Sequence, residues 1–203
     1  VDFLHQYALI NNGLNDFDNA KHFFVKAIRK NKEKSFLLYH YGFFLNSIGK
    51  HSLAVKSYLR GLKIFDHDIP QKMSILYNLS SSYSALSNNT KSLFYIDKLL
   101  ELDCNNIEAK KKKALILGQM QKYEESIQII KTILDKNKND LDCFVLLSRY
   151  YFLVTDYLRS IEFAEKAILI NEDNIDARIN LVSSLINLKR YAKAEEECLE
   201  GLK

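Results

Sequence analysis

Residues 107–140 read IEAKKKKALILGQMQKYEESIQIIKTILDKNKND and residues 141–174 read LDCFVLLSRYYFLVTDYLRSIEFAEKAILINEDN, two stretches of equal length whose turns fall in the same places. Tyr123 and Tyr157 stand 34 residues apart, Tyr191 continues the count, and each opens a helix-like apolar pattern. A period of that length belongs to a two-helix unit, which cannot bury its apolar face alone and must stack on a neighbour.

Carried outward, the count divides the chain into units 1–34, 35–68, 73–106, 107–140, 141–174 and 175–203, with one insertion at 69–72, so that 1–203 reads as a single array. The middle of each first helix then carries Ala8, Gly42, Ser80, Ala114, Ser148 and Val182. The second helices carry Ala20, Ala54, Ser92, Ser126, Ser160 and Ala194 in register. Small residues let two helix backbones approach, and large neighbours such as Leu38, Leu76 and Phe144 fill the space beside them. Phe17 keeps the tyrosine column, while His51 and Asn89 hold its place in the second and third units. Lys110, Lys113 and Arg178 fall in columns that are apolar elsewhere.

This alternation resembles the tetratricopeptide repeat family over essentially the whole chain, although the family's usual proline after the second helix is absent. The resemblance implies an all-α fold, an α-solenoid of antiparallel helix pairs wound as a right-handed superhelix, in which the first helix of each unit lines the concave side. It also implies a non-catalytic scaffold that holds a peptide or helix of a partner protein. The alternative is that these repeats serve a larger enzyme or regulator whose active domain lies outside them.

Composition points the same way. One Pro and six Gly leave little room for strands and tight turns, and 47% apolar with 27% charged residues is ordinary for a folded chain. Asn and Asp recur at 31, 103–106, 137–140 and 171–174, where they read as helix caps. Pro70, inside the insertion, suits a first helical turn, so an extra turn leading into the third repeat is expected. Cys104, Cys143 and Cys198 form no CxxC and suggest a reducing, intracellular and cytoplasmic setting. No apolar run approaches the roughly 20 residues of a membrane span. The first residue is Val, which suggests a processed chain or a segment cut from something longer.

No phosphate-cradling glycine loop, HExxH helix, CxxC pair or GxSxG elbow occurs, so no catalytic residue, cofactor or metal is assigned. Asp66, His67 and Asp68 read as a solvated turn in preference to a cation site. The net charge of +4 is modest, and Glu108, Asp142 and Asp176 interrupt any basic stripe, which argues against nucleic acid.

What remains is a surface. On the first-helix side, Phe36, Tyr39, Phe43 and Tyr77 form an aromatic half suited to anchoring a peptide or amphipathic helix, and Lys111 and Arg149 belong to a charged half. The run Lys110 to Lys113 has two readings: a frayed, solvated first turn with snorkelling stems, or an anion contact through Lys110, Lys112 and Lys113. Relatives that hold chaperone tails use a fixed Lys and Asn clamp, and no frame of this sequence supplies it, so no such tail is expected. The first helix, with Phe3, Leu4, Tyr7, Leu9 and Ile10, is apolar nearly all round; upstream repeats or a second copy should cover it.

Overall fold

A computed structural model describes residues 2–32, 34–64 and 68–202; Asp66 and His67 of the turn weighed above lie outside them. The described residues form twelve helices and no strand: α1 (Asp2–Gly13), α2 (Phe17–Lys30), α3 (Ser35–Ser47), α4 (His51–Lys63), α5 (Ile69–Ala85), α6 (Asn89–Leu102), α7 (Ile107–Gln119), α8 (Tyr123–Leu134), α9 (Leu141–Leu153), α10 (Tyr157–Ile170), α11 (Ile175–Asn187) and α12 (Tyr191–Glu200). The fold is all-α and of the solenoid class. Two compact units, Val1–Cys104 and Asn105–Lys203, each hold three helix pairs.

Every second helix opens on the residue the 34-residue count selects, including His51 and Asn89. The turn before it is the same each time. Asn15, Gly49, Ser87, Gln121, Thr155 and Lys189 all adopt a left-handed conformation, with φ between 57° and 73°. The next residue's N–H reaches back to the last turn of the first helix, as in Lys50 N–H to Leu45 O at 2.8 Å and Lys122 N–H to Leu117 O at 2.9 Å. This six-to-one bond pairs carbonyls that would otherwise be orphaned at the helix end.

Helix starts are capped by side chains where the sequence places Asn or Asp. Asn106 accepts from Ala109 N–H at 3.0 Å, Asp140 from Cys143 N–H at 3.1 Å and Asn174 from Ala177 N–H at 2.8 Å. The insertion lengthens α5 to 17 residues, with Pro70 in its first turn and Asp68 capping it. Four added residues are close to one helical turn, so the columns downstream keep their faces.

The small columns are the helix contacts. Ala8, Ala20, Ala54, Ser80, Ser92, Ala114, Ser126, Ser148 and Ser160 are all fully buried. The serines add a bond that recurs twelve residues apart: Ser92 Oγ donates to Ser80 O, Ser126 Oγ to Ala114 O and Ser160 Oγ to Ser148 O, each at 2.8 Å. A buried hydroxyl is tolerated because it is paired. In the first unit Phe24, Phe44, Tyr58, Ile75 and Leu79 pack around these contacts, and in the second Ile130, Cys143, Leu147 and Tyr151 do so. Each such side chain contributes about 1.5–3 kcal/mol on burial.

The frayed first turn expected at Lys110 to Lys113 does not occur. α7 is regular from Ile107, because the Asn106 cap and the fully buried Ala109 hold its first turn, and all four lysines are half-buried along it. Arg178, the other cation in an apolar column, pairs through Nη1 with Glu197 Oε2 at 3.0 Å and donates through Nη2 to Glu172 O at 3.0 Å.

Candidate functional site

In the first unit, α3 reads SFLLYHYGFFLNS and has more apolar side chains than one face can bury. Leu37, Leu38, Phe44 and Leu45 go into the core. Of the remaining aromatics, Phe36, Tyr39 and Phe43 are left on the side shared with α1 and α5, and Tyr41 turns toward α2 and α4. Phe36 packs against Leu37 and Leu38, with Lys34 Nζ 5.7 Å from its ring centre. Tyr39 is half-buried on the core and lies 6.3 Å from Tyr58, ring to ring. Tyr77 of α5 is also half-buried. Phe43 is different: it is 52% exposed, one of the few large rings on this side offered to solvent.

Two imidazoles sit inside this aromatic group. The rings of His5 and His40 are 4.7 Å apart, with Phe36 5.5 Å from His5 and Tyr39 5.1 Å from His40. Burial, and then the neighbouring His5, hold the His40 pKa below its ordinary value. Further along α3, Asn46 acts as a joint that sequence reasoning had not singled out. Its Nδ2 donates to Ser82 Oγ of α5 at 2.8 Å, and its Oδ1 lies 3.1 Å from His51 Nδ1 of α4.

In the second unit the charged residues of the first-helix side are engaged differently from one another. Lys111 Nζ lies 2.8 Å from Asp140 and 3.1 Å from Asp142, tying α7 to the start of α9. Burial works to lower the Lys111 pKa, and the two carboxylates overcome it and raise it. The same contacts act in reverse on Asp140: burial raises its pKa, while Lys111 and the Cys143 N–H bring it below the usual carboxylate range. Lys112 is lowered by burial alone. Arg149 is exposed, as are Glu108, Asp142 and Asp176. The structure thus brings Phe36, Tyr39 and the two histidines together, places Phe43 and Arg149 in solvent, and occupies Lys111 with an internal ion pair.

Among the described residues no group of three His, Cys, Asp or Glu side chains converges, and no helix is long and apolar enough to cross a membrane. The buried serines are used in helix contacts, and Cys143 is buried with its thiol pushed up to about 12, first by burial and then by Asp140. What the arrangement offers is an aromatic and hydrogen-bonding surface.

Comparison with known proteins agrees with the repeat reading. The tetratricopeptide repeat profile matches residues 1–33 and 74–106. A curated relative, the TPR repeat-containing protein MJ0940 of Methanocaldococcus jannaschii, is 33% identical over 101 residues, 49% of this chain and 31% of its own length. The chain therefore spans less than a third of that relative. A tetratricopeptide repeat protein from Parabacteroides merdae superposes with a TM-score of 0.83 at 21% identity, over 97% of this chain and 76% of the other. MamA from Desulfovibrio magneticus gives 0.76 at 17% identity, covering 83% and 93%. YrrB, described as a TPR protein with an unusual peptide-binding site, gives 0.71 at 18% identity, covering 86% and 88%. Likeness at these identities is a likeness of fold.

Proposed function

Since the chain belongs to the tetratricopeptide repeat family, a family of protein-interaction scaffolds, we propose that it binds an extended or helical segment of a partner protein along its first-helix side. The observation that carries this is Phe43, a large ring 52% exposed beside the half-buried Phe36, Tyr39 and Tyr77. A preformed aromatic anchor set lowers the ordering cost of binding a flexible segment. In the second unit Arg149 and the half-buried Lys110, Lys112 and Lys113 offer positive charge to acidic side chains of a ligand, whereas Lys111 is held by Asp140 and Asp142. The unbroken count from Asn89 to Tyr123 supports treating residues 1–203 as one array. The exposed Phe3, Tyr7 and Ile10 of α1 support self-association through that helix, and the free cysteines support a reducing intracellular setting.

A second reading, in which the repeats are the docking region of a larger enzyme or regulator, is favoured by one fact: the curated relative is about three times as long as the matched part.

The test is affinity capture on the immobilised chain beside Phe43→Ala and Arg149→Ala. Polypeptides held by the wild type and lost from both variants are expected. An unchanged set of captured proteins would remove the first-helix side as the binding surface.

A further inference from the structure

On the side opposite the aromatic group, α2 and α4 wall a furrow of about 340 Å³. Its floor is Leu38, Tyr41 and Leu45 of α3, and Val25, Ile28 and Leu53 line its sides. Arg29 stands on one rim, Lys56 and Arg60 on the other. Along the same outward faces Lys21, Lys26, Lys30 and Lys63 are exposed. None of these seven cations pairs with a carboxylate among the described residues. Asp18 is the one acid lining the adjoining surface of α2, and residues 51–63 contain none.

The equivalent helices of the second unit show what the repeat does when no charge is needed. There Lys166 pairs with Glu162 at 2.6 Å, Arg159 with Asp156 at 3.2 Å and Lys193 with Glu165 at 2.7 Å. By the repeat count, the positions of Glu162 and Lys166 are Lys56 and Arg60 in the second repeat. A favourable i, i+4 ion pair has become a like-charged one, which costs a helix a few tenths of a kcal/mol instead of contributing as much. Lys26 and Lys30 repeat the conflict on the facing helix. Among the described residues no carboxylate pairs with any of these four cations, and Lys26 has only the Phe23 ring, 6.0 Å from its Nζ.

We propose that this furrow docks an acidic amphipathic helix of a partner protein. Its apolar residues at i, i+3, i+4 and i+7 lie on the half-buried Val25 and Tyr41 and the exposed Leu53, and its carboxylates meet Arg29, Lys56 and Arg60. A polypeptide fits better than a nucleic acid, because Tyr41, the one ring lining the furrow, lies half-buried on its floor and offers no stacking platform. It fits better than a membrane, because Ile28, Leu38 and Leu45 of the lining are buried and Leu53 is its one exposed apolar side chain, too little to insert into a bilayer. This surface is separate from the first-helix side and stands or falls independently of it.

The probe is a fluorescein-labelled synthetic peptide with Leu at i, i+3, i+4 and i+7 and Glu at the flanking positions, titrated with the whole chain and followed by anisotropy. It is expected to bind more weakly as salt rises, and the triple variant Arg29→Glu, Lys56→Glu, Arg60→Glu should lose roughly tenfold or more in affinity. Phe43→Ala should bind it unchanged. Single Lys56→Glu, which sets a carboxylate four residues before Arg60 as Glu162 stands before Lys166 in the fifth repeat, should weaken the peptide while melting no lower than wild type, which separates lost binding from lost folding. No binding by the wild type, equal binding by the triple variant, or equal binding of a peptide with Ser in place of Leu overturns the proposal. So does capture of a labelled single-stranded oligonucleotide or of phosphatidylserine vesicles in preference to the peptide.

Discussion

The ring of Tyr58 lies directly on the backbone of Gly42: a Cβ at residue 42 would come within 2.5 Å of Tyr58 Cε1. Tyr58 is fully buried and cannot swing into solvent. Gly42→Ala should therefore destabilise the first unit by about 1–3 kcal/mol through overpacking, even though alanine is the better helix former. Urea unfolding followed by circular dichroism checks this, and an unchanged midpoint would mean that the ring yields. Gly118 stands in the same relation to Tyr150.

Asp140 does two jobs, capping α9 and receiving Lys111. Asp140→Ala should cost about 2–3 kcal/mol, the loss of a cap together with a charged hydrogen bond. Asp140→Asn keeps the cap and should lose less. Because the folded carboxyl titrates below its unfolded value, its contribution is present at neutral pH and disappears as pH falls through the folded pKa. The wild type should lose stability on acidification in that range, and Asp140→Asn should show a shallower decline in the same titration.

His40 gives the first unit a pH dependence nearer neutrality. With its folded pKa below the ordinary 6.5, the unfolded chain takes up the proton first as pH falls. Stability should be constant above 6.5 with respect to this group and drop below it. Melting temperatures across that range, compared with His40→Gln, measure the contribution; identical slopes in the two proteins would assign the effect elsewhere.

The three thiols should separate by reactivity. Cys104 and Cys198 are exposed, whereas Cys143 is buried and pushed up to about 12. Iodoacetamide at mildly alkaline pH is expected to modify the first two in the native protein and Cys143 only after denaturant is added, since the thiolate is the reactive form. Mass spectrometry of the quenched reaction reads this out.

Helix positions were legible because they depend on local order: Tyr123, Tyr157 and Tyr191 mark helix starts, and Asn106, Asp140 and Asn174 mark caps, each from a pattern a few residues wide. The small columns were legible for the same reason, although the hydroxyl bonds of Ser92, Ser126 and Ser160 were not. The role of Lys111 was hidden because its partners, Asp140 and Asp142, are about thirty residues away and only stacking brings them together. Four lysines in a row drew notice for their charge, while the cap and the buried Ala109 that keep them helical looked unremarkable in the sequence. On the aromatic side, spacing alone could place Phe36, Tyr39 and Phe43 on one face but could not say that Phe43 stands in solvent while the other two lean on the core. The basic furrow escaped because Lys56 and Arg60 conflict only when set against the Glu162 and Lys166 pair of a later repeat.

The left-handed turn residues carry one more consequence. Each turn is closed by a backbone bond, and its tip is exposed at Asn15, Gly49, Ser87, Gln121, Thr155 and Lys189, so these side chains have no packing to perform. Apart from Gly49, whose φ of 73° disfavours any side chain, they are natural attachment points for a label or a cross-linker, at which chemistry can be added to the protein without disturbing either the aromatic side or the basic furrow.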